Sequence, residues 1–106
     1  MDDHAHARLC ARARIIKAMA HPTRLFIVEQ LAEGPRCVCE LQRGIGDDIS
    51  TVSKHLTVLK AAGLVSDERR GNQIFYALEA PCVLRFMGCI EQAARQQARA
   101  QLALVS

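Results

Sequence analysis

Long apolar runs are missing from this sequence, and none reaches the roughly 18 residues that a membrane-spanning helix needs. The opening residues, MDDHAHARLCARAR, also lack the apolar middle of a signal peptide. A cytoplasmic location without membrane contact is therefore expected. No internal repeat or low-complexity segment is present, and the formal net charge is only +3, with a pI near 8.8. That mild basicity suits a polyanionic partner but is far from the charge runs of a nonspecific nucleic-acid tail. There is no phosphate-cradling glycine loop, no HExxH and no recognisable Cys/His nucleophile arrangement, so a small thiol enzyme or metal carrier finds little support. The five cysteines are an odd number without framework spacing. In a reducing cytosol they read as free thiols or ligands rather than structural disulfides. What remains, 106 residues at 50% hydrophobic and 24% charged, describes one domain with a single modest core.

The most informative stretch is Ile49 to Val65, ISTVSKHLTVLKAAGLV. Val52, Leu56, Leu59 and then Gly63-Leu64 recur at helical spacing, so they form one stripe facing a core. At about 100° per residue, Ser50, Lys54 and Thr57 point away from that stripe. Thr51 and Ser53 flank them, and His55 sits at the edge. Short hydroxyls and one cation suit a major groove, because they can bond base edges or phosphates and a threonine methyl can touch a thymine methyl. The same residue types also cover ordinary solvated helix faces, so the neighbouring segments decide the reading. Gly63 is suited to ending the helix in the left-handed region.

Before this stretch, residues 1 to about 20 read as a helix after a frayed start, with Leu9, Ala13, Ile16 and Ala20 on one stripe. His4 and His6 could bind a metal but read as solvated tail residues. His21 and Pro22 break the pattern and open a second helix, whose inward face carries Leu25, Val28 and Leu31 and which stops near Gly34 and Pro35. Cys37 to about Gly44 is a short third helix, with Val38 and Leu41 apolar and Glu40 solvated. Asp47, Asp48 and Ser50 are all candidate N-caps for the fourth. Two helices across a glycine-bearing turn make a helix-turn-helix candidate.

Beyond Val65 the pattern becomes extended: SDERR, a Gly71-Asn72 tip, then QIFYAL, in which Ile74, Tyr76 and Leu78 alternate with Gln73, Phe75 and Ala77. This is a β-hairpin. Arg69 and Arg70 precede its tip, placed to reach phosphates or a minor groove, although Asp67 and Glu68 dilute their charge. From Pro81 a last helix carries Val83, Met87, Ile90 and Ala94 on one stripe, widened by Leu84, Phe86 and Leu102. So small a chain cannot easily bury that face alone. Packing the first and last helices against their copies in a twofold dimer would cover it and set two recognition helices about one DNA turn apart.

In order, HPTRLFIVEQL, CVCEL, STVSKHLTVLKAAGLV and RRGNQIFYAL resemble the ArsR/SmtB family of winged helix-turn-helix repressors, from about residue 15 to residue 80. The resemblance implies a mainly α fold with a β-hairpin wing: four helices, two strands and a fifth helix, in one domain over residues 1–106. It implies a homodimer on double-stranded operator DNA that leaves when a metal, metalloid or thiol oxidant changes it. Ser50, Thr51, Ser53, Lys54, His55 and Thr57 would then read the major groove, with Arg69, Arg70 and Asn72 at the wing tip. The outer helices, about 7–20 and 81–104, would form the dimer interface.

Cys37-Val38-Cys39 is the second informative feature. Thiolates select soft ions, and a helix N-terminus with Arg36 and Arg43 nearby favours their ionised form. On a regular helix, residues i and i+2 point about 200° apart. Both sulfurs can therefore share one ion only if the first turn is distorted or Cys37 lies before it. In arsenic-responsive members the motif resembles CxCxxC, three sulfurs around As(III) or Sb(III), but here the third place is Gln42. The third ligand stays open among Cys10, Cys82, Cys89, a cysteine of the other protomer and a small thiol. Zinc or cadmium is an alternative ion, although four sulfur or imidazole ligands would be wanted for tetrahedral zinc. Of the zinc-responsive pattern in the last helix, Cys82 matches one place, but Ala80, Ala93 and Gln96 occupy the others. Cys82 and Cys89, seven apart, are either inert apolar residues or resolving partners of a redox or persulfide switch.

Overall fold

The computed structural model describes residues 1–105; the expected domain's last residue, 106, lies outside them. Its elements are α1 (Asp3–Met19), α2 (Pro22–Leu31), β1 (Arg36–Cys37), α3 (Val38–Ile45), α4 (Ile49–Ala61), β2 (Val65–Arg70), β3 (Gln73–Leu78) and α5 (Val83–Val105). The helix order and the wing are those expected.

α1 starts without a frayed segment. The Asp2 carboxylate accepts from the Ala5 N–H at 2.7 Å and Asp3 lies in the first turn, so the acidic opening caps the helix and places His4 and His6 inside it. The expected stripe does not meet a core within the chain: Leu9 is 48% and Ile16 49% exposed, and only Ala18 and Met19 of α1 are buried. His21 is extended and caps α2, its Nδ1 accepting from the Thr23 N–H at 3.1 Å, with Pro22 in the first turn. Ile27, Val28 and Leu31 fill the inward face of α2.

The sheet has one strand more than a hairpin. β2 and β3 pair antiparallel from Val65↔Leu78 to Arg70↔Gln73, and β1 adds to the free edge of β3 through Arg36↔Tyr76 and Cys37↔Phe75. A pairing only two residues long leaves no alternation for a sequence pattern to display. At the tip Gly71 takes φ +62°, a left-handed value that a glycine accepts without strain.

The core lies between α2, α4 and the sheet, around Ile27, Val28, Val52, Leu56, Leu59 and Leu64. α5 offers it only the partly buried Val83, Leu84 and Met87, and no residue of α5 is fully buried. Among the described residues, no helix is long and apolar enough to cross a membrane.

Candidate nucleic-acid interface and thiol site

α4 is seated by its apolar stripe and started by Asp48, which resolves the choice among three caps. One oxygen of the Asp48 carboxylate accepts from the Thr51 N–H at 2.8 Å and from the Ser50 hydroxyl at 3.1 Å. These bonds, that from the Thr51 N–H foremost, hold the carboxyl below its ordinary range. Gly63, at φ +78°, turns the chain out of the helix towards β2.

With Val52, Leu56 and Leu59 buried, Ser50, Ser53, Lys54 and Thr57 stand exposed on the opposite side. The Thr57 hydroxyl donates to the Ser53 carbonyl at 2.9 Å. Thr51 is half-buried at the border. His55 is half-buried too, its ring centroid 4.5 Å from that of His21 and tilted by 46°. Burial, then the charges of His21 and Arg24, push its imidazole towards the neutral form, partly offset by Asp47.

On the wing, Arg69 Nε donates to the Gly71 carbonyl at 3.3 Å. Arg70 donates to Glu68 at 3.3 Å, and its guanidinium lies 4.7 Å from the centre of the Phe75 ring. Both arginines stay exposed with Asn72. The wing arginines are thus held by their own hairpin while facing solvent.

Cys37 is the last residue of β1 and the N-cap of α3, with extended backbone angles of φ −76° and ψ 158°. It therefore lies before the helix, which is one of the two conditions under which both sulfurs can turn to one ion. The third helix accordingly starts one residue later than expected. Glu40 is no idle surface residue: its carboxylate accepts from the Cys37 N–H at 3.3 Å while the Cys37 sulfur accepts from the Glu40 N–H at 3.4 Å. This reciprocal pair is a capping box with cysteine in the place of serine or threonine. The bonds from Cys37 and the Arg36 guanidinium keep the Glu40 carboxyl below its ordinary range.

The two thiols differ in character. Burial, with the neighbouring Cys39 thiol, pushes the Cys37 thiol up; interaction with the Cys37 thiol, with help from Arg43, pulls the Cys39 thiol down. Cys39 is the more readily ionised of the two. Both open on a cavity of about 310 Å³ whose other walls are Val38, Ile49 and Ser53 on the helices and Asn72, Gln73 and Ile74 on the wing. The Gln73 amide lies 3.9 Å from the Cys39 sulfur. Gln73 and Ile49 were not singled out from sequence, and nothing in their local pattern marks them.

Among the described residues, no third ligand joins the pair, and no group of three His, Cys, Asp or Glu side chains is placed to hold a metal ion. Cys10 instead contacts His6 Nε2 at 3.4 Å on α1, Cys82 is exposed in the turn just before α5, and Cys89 is exposed along α5. Gln42 donates to the Asp47 carbonyl at 3.0 Å.

The family model described as bacterial regulatory protein, arsR family, matches residues 21–67. The HTH-type transcriptional repressor SmtB of Mycobacterium tuberculosis is 44% identical over 70 residues, 66% of this chain. The chain spans about half, 52%, of that relative's length. The uncharacterized HTH-type transcriptional regulator Rv0081 of the same species is 38% identical over 77 residues, 72% of this chain and 68% of its own. Among solved structures, the homodimeric winged helix-turn-helix DNA-binding domain Mb0332 from Mycobacterium bovis, a possible ArsR-family transcriptional regulator, superposes with a TM-score of 0.80 at 31% identity, covering 94% of this chain and 93% of that one. These relatives carry the names of transcriptional regulators, not of enzymes.

Proposed function

The chain belongs to the ArsR family of regulatory proteins, and from that premise we propose that it is a homodimeric transcriptional repressor acting on operator DNA in the cytoplasm. Ser50, Thr51, Ser53, Lys54, His55 and Thr57 read the major groove, Arg69, Arg70 and Asn72 place the wing against the backbone, and As(III), Sb(III) or a related soft ion at Cys37 and Cys39 releases the DNA. The observation that carries this reading is the shared cavity. Cys37 and Cys39 open on the same space as Ser53 of α4 and Asn72 of the wing tip, so a ligand there meets both proposed DNA-reading elements.

The donor set fits a soft ion in part: two sulfurs, one readily ionised, at a helix start. A bound ion would supply a positive centre that holds both sulfurs as thiolates. Bringing the Cys37 sulfur onto that centre together with the Cys39 sulfur would re-aim it relative to the Glu40 N–H and so disturb the capped first turn of α3. α3 in turn holds the α3–α4 turn through Gln42 and Asp47, next to the Asp48 cap of α4. Inducer and DNA are thereby coupled through one helix, and a coupling of about 1–3 kcal/mol weakens DNA binding by up to roughly a hundredfold. The third thiol comes from the partner protomer or from a small thiol in solution.

Dimerisation is supported by the faces left uncovered. Ile16, Phe86 and Ile90, each more than 40% exposed, border a groove of about 350 Å³ floored by Met19, Leu25 and Met87. A twofold copy of α1 and α5 covers it. Binding of the reduced protein to its own upstream duplex, with Ser53→Ala and Lys54→Gln as variants, tests the DNA-reading half. Wild-type binding weakened in both variants supports the reading, and unaltered affinity contradicts it. Adding As(III), zinc, cadmium or a hydroperoxide in parallel identifies the inducer class.

A further inference from the structure

A basic concavity lies beside the C-terminal end of α4. Arg14 and Lys17, three apart and hence neighbours on one side of α1, converge with Arg24 of α2 around a concavity of about 330 Å³. Its remaining lining is Ala18, Val58, Ala61 and Ala62, with no acidic side chain. Among the described residues, none of the three cations has an ion pair or a side-chain hydrogen bond, and Arg24 Nε is buried without any partner.

The position of Arg24 sharpens the point. It stands in the first turn of α2, the positive end of that helix dipole, and the turn holds no acid to offset it. The His55 imidazole, already near the neutral form, adds no anion. Lys17 complements the C-terminal end of α1, but that account does not extend to Arg14 or Arg24. Three cations around one concavity with no acid among them suit an anion with several acceptor oxygens.

The neighbouring surface names which anion. Ser50, Lys54, Thr57 and Ala61 succeed one another at helical spacing along the exposed side of α4, so Ala61 ends that face and the basic concavity begins there. In helix-turn-helix docking the recognition helix lies in the major groove and the first helix of the pair crosses the backbone, so phosphates run beside the recognition helix. We propose that Arg14, Lys17 and Arg24 clamp a phosphate of the DNA backbone at the C-terminal end of α4, outside both the helix-turn-helix and the wing. The proposal rests on the DNA-binding reading and extends it to residues of α1 and the start of α2.

Anisotropy titrations across a salt series, on operator and on an unrelated duplex of equal length, test it with Arg14→Gln, Lys17→Gln and Arg24→Gln. Each variant lowers the slope of log affinity against log salt by about one per lost contact, so by about two in a twofold dimer, and equally on both duplexes. Arg24→Lys restores part of the slope. Arg14 and Lys17 are exposed, so their variants keep the test decisive even where Arg24→Gln fails to fold. Unchanged slopes in these two overturn the clamp. So does a result in which inorganic phosphate raises the wild-type melting temperature, the variants lose that rise and the slopes stay equal, because the concavity then serves a small phosphorylated effector. Wild type that binds duplex and weakens on Ser53→Ala, with unchanged clamp slopes, refutes the clamp alone; wild type that binds no duplex refutes the DNA-binding reading and the clamp with it.

Discussion

The side-chain amide of Gln42 donates to the main-chain carbonyl of Asp47 at 3.0 Å. It fastens the end of α3 to the residue before the cap of α4. Gln42 also stands where the arsenic-responsive motif that this chain resembles has its third cysteine. At this position the chain has a turn clamp in place of that sulfur. Gln42→Cys is expected to tighten As(III) binding and strengthen the ultraviolet absorption of As(III)–thiolate bonds, while lowering the melting temperature of the ligand-free protein. Unchanged As(III) affinity would show that the third thiol is already supplied at full strength from elsewhere.

The two thiols should differ in reactivity. Cys39 is partly exposed and its thiol is pulled down by its interaction with the Cys37 thiol, whereas Cys37 is buried and pushed up. At neutral pH, limiting iodoacetamide followed by peptide mapping should label Cys39 well before Cys37. Equal labelling, or Cys37 first, would contradict the asymmetry.

How much of this was legible from residues alone depended on the length and kind of each signal. The stripe Val52, Leu56, Leu59 is a full helical repeat, and all three side chains are 0% exposed. The stripe of α1 was equally regular, yet Leu9 and Ile16 stay exposed, because periodicity marks an apolar face without naming what covers it. The Cys37–Glu40 capping box escaped notice because the familiar pattern has serine or threonine at its head. The thiol cavity was out of reach altogether. Cys39 and Gln73 are 34 residues apart and are brought together by tertiary contacts that include the two-residue pairing of β1 with β3.

His55 gives the fold a pH dependence. Its imidazole is shifted down by burial and by the charges of His21 and Arg24, against the opposing pull of Asp47. In the unfolded chain it titrates near about 6.5. As pH falls through that value the unfolded chain takes up the proton first, so stability held above it is lost as pH approaches the lower folded value. The melting temperature should therefore fall between about pH 7 and 5, and less steeply in His55→Gln. An identical slope in the variant would remove His55 as the cause.

The exposed faces of α1 and α5 can be tested by charge. Ile90 is 46% exposed beside the apolar groove, where a carboxylate is tolerated in a monomer but is buried against a second copy. Ile90→Glu is expected to sediment as a monomer and to bind operator DNA at least tenfold more weakly, about 1.4 kcal/mol. A dimeric Ile90→Glu protein with unimpaired binding would place the interface elsewhere.

The most direct test of the account is a fluorescence-anisotropy titration of the reduced protein on its own upstream duplex, with and without As(III), for wild type, Cys37→Ser and Cys39→Ser. The account predicts that As(III) weakens wild-type binding by up to roughly a hundredfold and leaves both variants bound. Wild type that keeps its DNA in As(III), or variants released as readily as wild type, would contradict the assignment of Cys37 and Cys39 as the inducer site.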